Sequence, residues 1–76
     1  MRINQQGKDL LFSKLTYRQM QVVDAFLETS KNKAIGERLS ILDTAVKAHF
    51  TKIYKRLNVK GRTDLIKLLA EYVEQK

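Results

Sequence analysis

The chain contains no cysteine, no proline and no tryptophan, and only three of its 76 residues are glycine. The missing cysteines exclude a disulfide scaffold and thiolate metal sites, and fit a reducing, cytoplasmic compartment. With no proline and little glycine, most of the backbone is free to be helical. Long hydrophobic runs are missing too. Nothing approaches the roughly 18 to 20 consecutive apolar residues of a membrane span, and Met1-Arg2-Ile3-Asn4-Gln5-Gln6-Gly7 lacks the apolar stretch of a secretory leader, so no membrane role is expected.

The means for catalysis are equally thin. His49 is the single histidine, without a Cys or Ser partner at meaningful spacing for a nucleophile and base. Asp24 and Glu28, four apart on an expected helix, read as a solvated face rather than a shifted carboxylate pair. A domain of this length buries only roughly 60% of its unfolded surface, which leaves little room for an enclosed site. No enzyme, cofactor or metal centre is expected. Tyr17, Tyr54 and Tyr72 fall on three separate elements, so they form no stacking platform for single strands.

What the chain does have is positive charge in one place. Its 15 Lys and Arg outweigh 8 Asp and Glu for a net charge of +7. Residues 1–30 contribute +1 and residues 63–76 contribute −1. The middle, 31–62, holds nine cations (Lys31, Lys33, Arg38, Lys47, Lys52, Lys55, Arg56, Lys60, Arg62) against Glu37 and Asp43. The whole excess thus lies on the central elements, a field suited to a polyanion, and nucleic acid is the expected partner.

Residues 1–14 show no clear period and read as an N-terminal extension, with Leu10, Leu11 and Phe12 apolar enough to dock. Thr16 followed by Gln19 is a capping box, with Leu15 and Met20 placed as a hydrophobic staple. Met20, Val23, Phe26 and Leu27 recur at helical spacing, predicting a helix over about 16–29. Asn32 is placed to cap a short helix over about 33–39 with Ile35 and Leu39 inward. Gly36 inside it points to a close crossing of another backbone. After a break at Ser40-Ile41-Leu42, a helix over about 43–57 would bury Val46, His49 or Phe50, Ile53 and Leu57. Its other face reads Thr44, Lys47, Ala48, Thr51, Lys52 and Lys55, with no acid among them. Asn58 suits a left-handed helix end. A last helix, from Gly61–Thr63 to about Glu74, carries Leu65, Ile66, Leu68, Leu69, Tyr72 and Val73, more apolar residues than one seam needs.

Two helices on a tight turn, the second basic on its outer face, make a helix-turn-helix. Gly36, Ser40 and Val46 fill its small, small and apolar positions. The runs Leu15-Thr16-Tyr17-Arg18, Asn32-Lys33-Ala34-Ile35-Gly36-Glu37-Arg38-Leu39, Val46-Lys47-Ala48-His49, Ile53-Tyr54-Lys55-Arg56-Leu57-Asn58-Val59 and Arg62-Thr63 carry a further likeness. Together, over about 15–74, this pattern resembles the DNA-binding domain of the LuxR family, and the length is similar to that of free-standing members without a sensory domain.

The resemblance implies an all-α, four-helix helix-turn-helix domain over 15–76, a bacterial transcriptional regulator that binds double-stranded DNA. The helix over 43–57 would be the recognition helix and the last helix would form a homodimer through Leu65, Leu68, Leu69, Tyr72 and Val73. Carried over, Lys47, Ala48 and Thr51 meet base edges, with Thr44 on the same face. Asn32, Lys33, His49, Lys52, Lys55 and Arg62 match or neighbour backbone contacts. RNA polymerase is a further candidate partner. Three residues depart from the family pattern. Leu42 stands where a capping Ser is usual, so the helix is expected to cap from Asp43 or to start raggedly; Ala45 replaces a phosphate-touching Thr; Gln19 replaces Glu. The first two would lower DNA affinity and leave room for a rival reading, a protein-binding module that pairs with a full-length regulator or polymerase. The chain would also suit the C-terminal part of a longer response regulator. On the dimer reading, Asp at Leu69 or Val73 is expected to weaken DNA binding without unfolding the domain.

Overall fold

The structure, a computed structural model, describes residues 2–74; the last two residues of the expected 15–76 domain lie outside them. Five helices follow one another: α1 (Gln5–Lys14), α2 (Tyr17–Glu28), α3 (Asn32–Leu39), α4 (Asp43–Leu57) and α5 (Arg62–Ala70). The described residues form no strand beyond an isolated antiparallel bridge between Ile3 and Val73. The all-α fold is as expected, with one helix more.

That helix is α1, in the segment read as having no period. Asn4 caps it, its side chain accepting from Gly7 N at 2.9 Å. The buried positions are Ile3, Gly7, Leu11 and Leu15, a stripe of strict four-residue spacing. The stripe escapes notice because one of its members is a glycine. Gly7 is required there: a Cβ would collide with Ile3 Cγ2 and with Tyr72 Cβ. Leu11 docks as expected, whereas Phe12 stays 60% exposed. At its far end, Arg56 Nε donates to Lys14 O at 2.9 Å, tying α1 to α4.

α2 begins as read. Thr16 Oγ1 accepts from Gln19 N at 3.2 Å, Gln19 Oε1 accepts from Thr16 N at 3.0 Å, and Leu15 and Met20 are both buried. Val22, Val23, Ala25 and Phe26 enter the core beside Ile35, Val46, Phe50, Ile53, Leu57, Leu65 and Leu69. α2 is therefore the central beam on which α1, α3 and α4 rest.

α5 stops at Ala70, short of the expected Glu74, because its continuation is taken by the amino-terminal segment. Asn4 N donates to Tyr72 O at 2.7 Å and Glu74 N to Arg2 O at 2.9 Å. These bonds seat the chain after the turn at 71–72 against the amino-terminal segment, where Val73 bridges Ile3, and Arg2 and Glu74 add an exposed ion pair at 3.7 Å. No helix among the described residues is long and apolar enough to cross a membrane.

Candidate nucleic-acid interface

α3 and α4 are joined by a turn that the sequence specifies residue by residue. Ser40 takes the left-handed conformation (φ 59°, ψ 42°), and Ile41 N reaches back to Gly36 O at 2.8 Å. The carbonyl of Ile41 then lies where a Cβ on Gly36 would be, 2.6 Å away. This is the close crossing that an internal glycine implied. From the other side, Arg18 Nη2 reaches Leu39 O at 3.4 Å at the end of α3.

Of the two starts expected for α4, the cap from Asp43 is not used. Leu42 is the N-cap and makes no side-chain bond, while Asp43 sits in the first turn, where its charge favours the helix dipole. Leu42 is 75% exposed. α4 then buries Val46, Phe50, Ile53 and Leu57, so Phe50 rather than His49 takes the inward position. Thr44, Lys47, Ala48, Thr51, Lys52 and Lys55 are all exposed along one face, and Ala45 and His49 are half-buried at its edge. Thr51 Oγ1 donates to Lys47 O at 3.2 Å, so its methyl is the part left for an apolar contact. Asn58 ends the helix in the left-handed region (φ 57°), as its type suggested.

Around this face, Lys31, Lys33 and Lys60 are exposed. Among the described residues the ion pair of Arg2 with Glu74 is the only one, so no carboxylate neutralises the central lysines. Arg62 and Asn32 are placed differently from the lysines. Arg62 Nη1 donates to Ser30 O at 2.7 Å, its Nη2 donates to Asn32 Oδ1, and its guanidinium carbon lies 5.2 and 5.4 Å from the Phe26 and Phe50 ring centres. Asn32, expected to cap α3, is instead its first residue, with Lys31 at the N-cap.

The residues expected to dimerise divide. Leu65 and Leu69 are wholly inside the protomer's own core, Leu69 at 2% exposure, so they present no surface to a partner. Substituting Asp at Leu69 would therefore unfold the domain rather than only separate a dimer. Leu68, Tyr72 and Val73 are half-buried against the core. The apolar side chain that α5 does show is Ile66, 43% exposed, beside a cleft of about 210 Å³ lined by Phe26, Leu27, Thr29 and Leu69. A larger open groove of about 470 Å³ lies between α1 and the α2–α3 pair. There, partial burial pushes the Asp24 carboxyl above its ordinary pKa, and nearby Lys8 opposes the rise.

Comparison with known proteins agrees with this geometry. The family model of bacterial regulatory proteins of the luxR family matches residues 13–69. YhjB of Escherichia coli (strain K12) is 39% identical over 62 residues, covering 82% of this chain and 30% of that protein. Transcriptional regulatory protein LiaR of Bacillus subtilis is 36% identical over 63 residues, again 82% of this chain and 30% of the relative. HTH-type transcriptional regulator AlkS of Pseudomonas putida is 38% identical over 52 residues, 68% of this chain and 6% of its own length. The chain thus spans less than a third of these relatives. No solved structure matches significantly. With the family match covering the helix-turn-helix and its flanking helices, the chain belongs to the luxR family of bacterial regulatory proteins, as a helix-turn-helix DNA-binding domain.

Proposed function

We propose that the chain is a sequence-specific regulator of bacterial transcription that lays α4 in the major groove of duplex DNA and works as a homodimer where the chromosome is, in the cytoplasm. The observation that carries this reading is the outer face of α4: short or basic side chains, no acid beyond the first turn, and every large apolar residue turned inward. A helix fits the major groove, and short residues such as Ala48 and Thr51 let its backbone approach the base edges. Their methyls suit a thymine methyl, and Lys47 donates to guanine O6 or N7. Lys33, Lys52 and Lys55, with Thr44, His49 and the amide of Asn32, supply the phosphate contacts that position the domain without reading sequence.

One protomer reads about half a site, so specificity calls for two copies on a near-palindrome. The α5 surface available for this is Ile66 with the exposed edges of Leu68, Tyr72 and Val73. Selection of bound duplexes from a random pool, with molar mass measured in parallel, tests the proposal. A palindromic consensus and a mass that doubles support it. Retention on duplex DNA that does not weaken with salt, or a pool that never enriches, would instead favour the protein-binding module and its polymerase or regulator partner.

A further inference from the structure

The start of α3 lacks a cap of its own, since Lys31 at the N-cap makes no side-chain hydrogen bond. An uncapped helix end leaves backbone donors unpaired and frays readily, and Lys33 is in that end. What holds it comes from far along the chain. Arg62, the first residue of α5, donates to Ser30 O in the loop before α3 and to Asn32 Oδ1 in the first turn. Its guanidinium rests on Phe26 of α2 and Phe50 of α4, two rings that meet edge to face at 5.4 Å. One planar fork thus joins the α2–α3 loop, the start of α3 and the recognition helix. An ammonium could not do this: it lacks the paired coplanar donors and is more strongly hydrated.

We propose that Arg62 is a positioning residue for duplex binding, which contacts no phosphate itself but holds the start of α3, and with it Lys33, in register with α4. The assignment rests on the DNA-binding reading above. Its functional consequence is that the contribution of Lys33 depends on the side chain at 62, although neither residue touches the other.

The test uses the 76-residue chain. Binding to a short duplex of mixed sequence is measured over a salt series, at a temperature where melts show every variant folded. Lys33→Ala in the wild-type background should lower the logarithmic salt slope by about 0.9, one phosphate contact. Arg62→Lys keeps the charge and loses the fork; it should reproduce that lower slope with affinity down about ten-fold, and adding Lys33→Ala should then change nothing further. Should Arg62→Lys fail to fold, Asn32→Ala removes the Nη2 acceptor without touching the charge, and the same loss of the Lys33 effect is read in its place. The assignment is overturned if Arg62→Lys binds with unchanged slope, or if Lys33→Ala costs the same in both backgrounds. A wild-type chain without salt-dependent binding would sink the DNA reading and this assignment together, whereas normal wild-type binding with additive variants sinks only the assignment.

Discussion

Gly36→Ala should destabilise the domain, although Ala is the better helix former. In an exposed helix interior the exchange gains about 1 kcal/mol. Here the new Cβ would stand 2.6 Å from Ile41 O, 0.8 Å inside the 3.4 Å at which ordinary contact begins, and 3.5 Å from both Asp43 N and Leu42 C. All three neighbours are backbone, and the Ile41 carbonyl cannot simply retreat. Ile41 N is bonded to Gly36 O at 2.8 Å, and the turn before it is fixed by the left-handed Ser40. Overpacking of this kind costs about 1–3 kcal/mol, and a rigid obstacle puts it at the upper end. The net loss is then about 1–2 kcal/mol, or a fall in melting temperature of about 5–15 °C for a domain of this size. Thermal unfolding by circular dichroism reads it, with Gly61→Ala as the control, since a Cβ there meets nothing within 4 Å. A Gly36→Ala protein that melts at or above the wild type would refute the crossing geometry.

The proposed dimer face is separable from the core. Ile66→Asp should keep the folding stability within about 1 kcal/mol of wild type while lowering molar mass and duplex affinity, whereas Leu69→Asp should leave no folded protein, because an unpaired charge in the core costs several kcal/mol. Equal melting of the two variants would contradict the burial difference between them. Lys47→Ala should flatten discrimination between selected and random duplexes by about 1–3 kcal/mol, and Lys52→Ala should weaken both alike; identical profiles would end that division. Asp24 has a folded pKa above its ordinary 3.8, so its ionised form costs stability at neutral pH and that cost is relieved as pH falls through the raised value. Asp24→Asn should therefore melt higher than wild type near neutrality, with the gain gone below the ordinary pKa; a melting temperature unchanged across a pH series would refute it.

How much of this was legible in the sequence depends on the range of the forces involved. The capping box at Thr16, the glycine crossing at Gly36, the left-handed Asn58 and the bounds of α4 are decided by neighbours within a few positions, and all four were read correctly. α1 was missed because its buried stripe runs through Gly7, which looks like a breaker until Tyr72 is seen beside it. The early end of α5 was hidden for a related reason: local propensity favours helix to Glu74, but Asn4 N donates to Tyr72 O and Glu74 N to Arg2 O, so the opposite end of the chain holds these residues. Leu65 and Leu69 look no different from Ile66 in a list of apolar residues. Only the direction in which α5 faces the core assigns the first two inward and the third outward. Arg62 stood with the lysines among the backbone-contacting positions that the family resemblance implies, and its aromatic seat between residues 26 and 50 has no local signature.

The seat of Arg62 points to a division among the basic residues that net charge conceals. Four of the five arginines bond within the chain: Arg2 to Glu74, Arg18 to Gln21 and Leu39, Arg56 to Lys14, and Arg62 to Ser30 and Asn32. No lysine ammonium among the described residues donates a hydrogen bond or forms an ion pair. The physical basis is the difference between the two cations. A guanidinium is weakly hydrated and presents donors in a fixed plane, so it can bridge carbonyls of separate elements; an ammonium keeps its water and its rotamer freedom. Immobilising a lysine would cost up to about 2 kcal/mol of side-chain entropy, a cost deferred here until a polyanion is present to offset it by counterion release. The salt dependence of binding should accordingly follow the lysines on and around α4 rather than the total of +7.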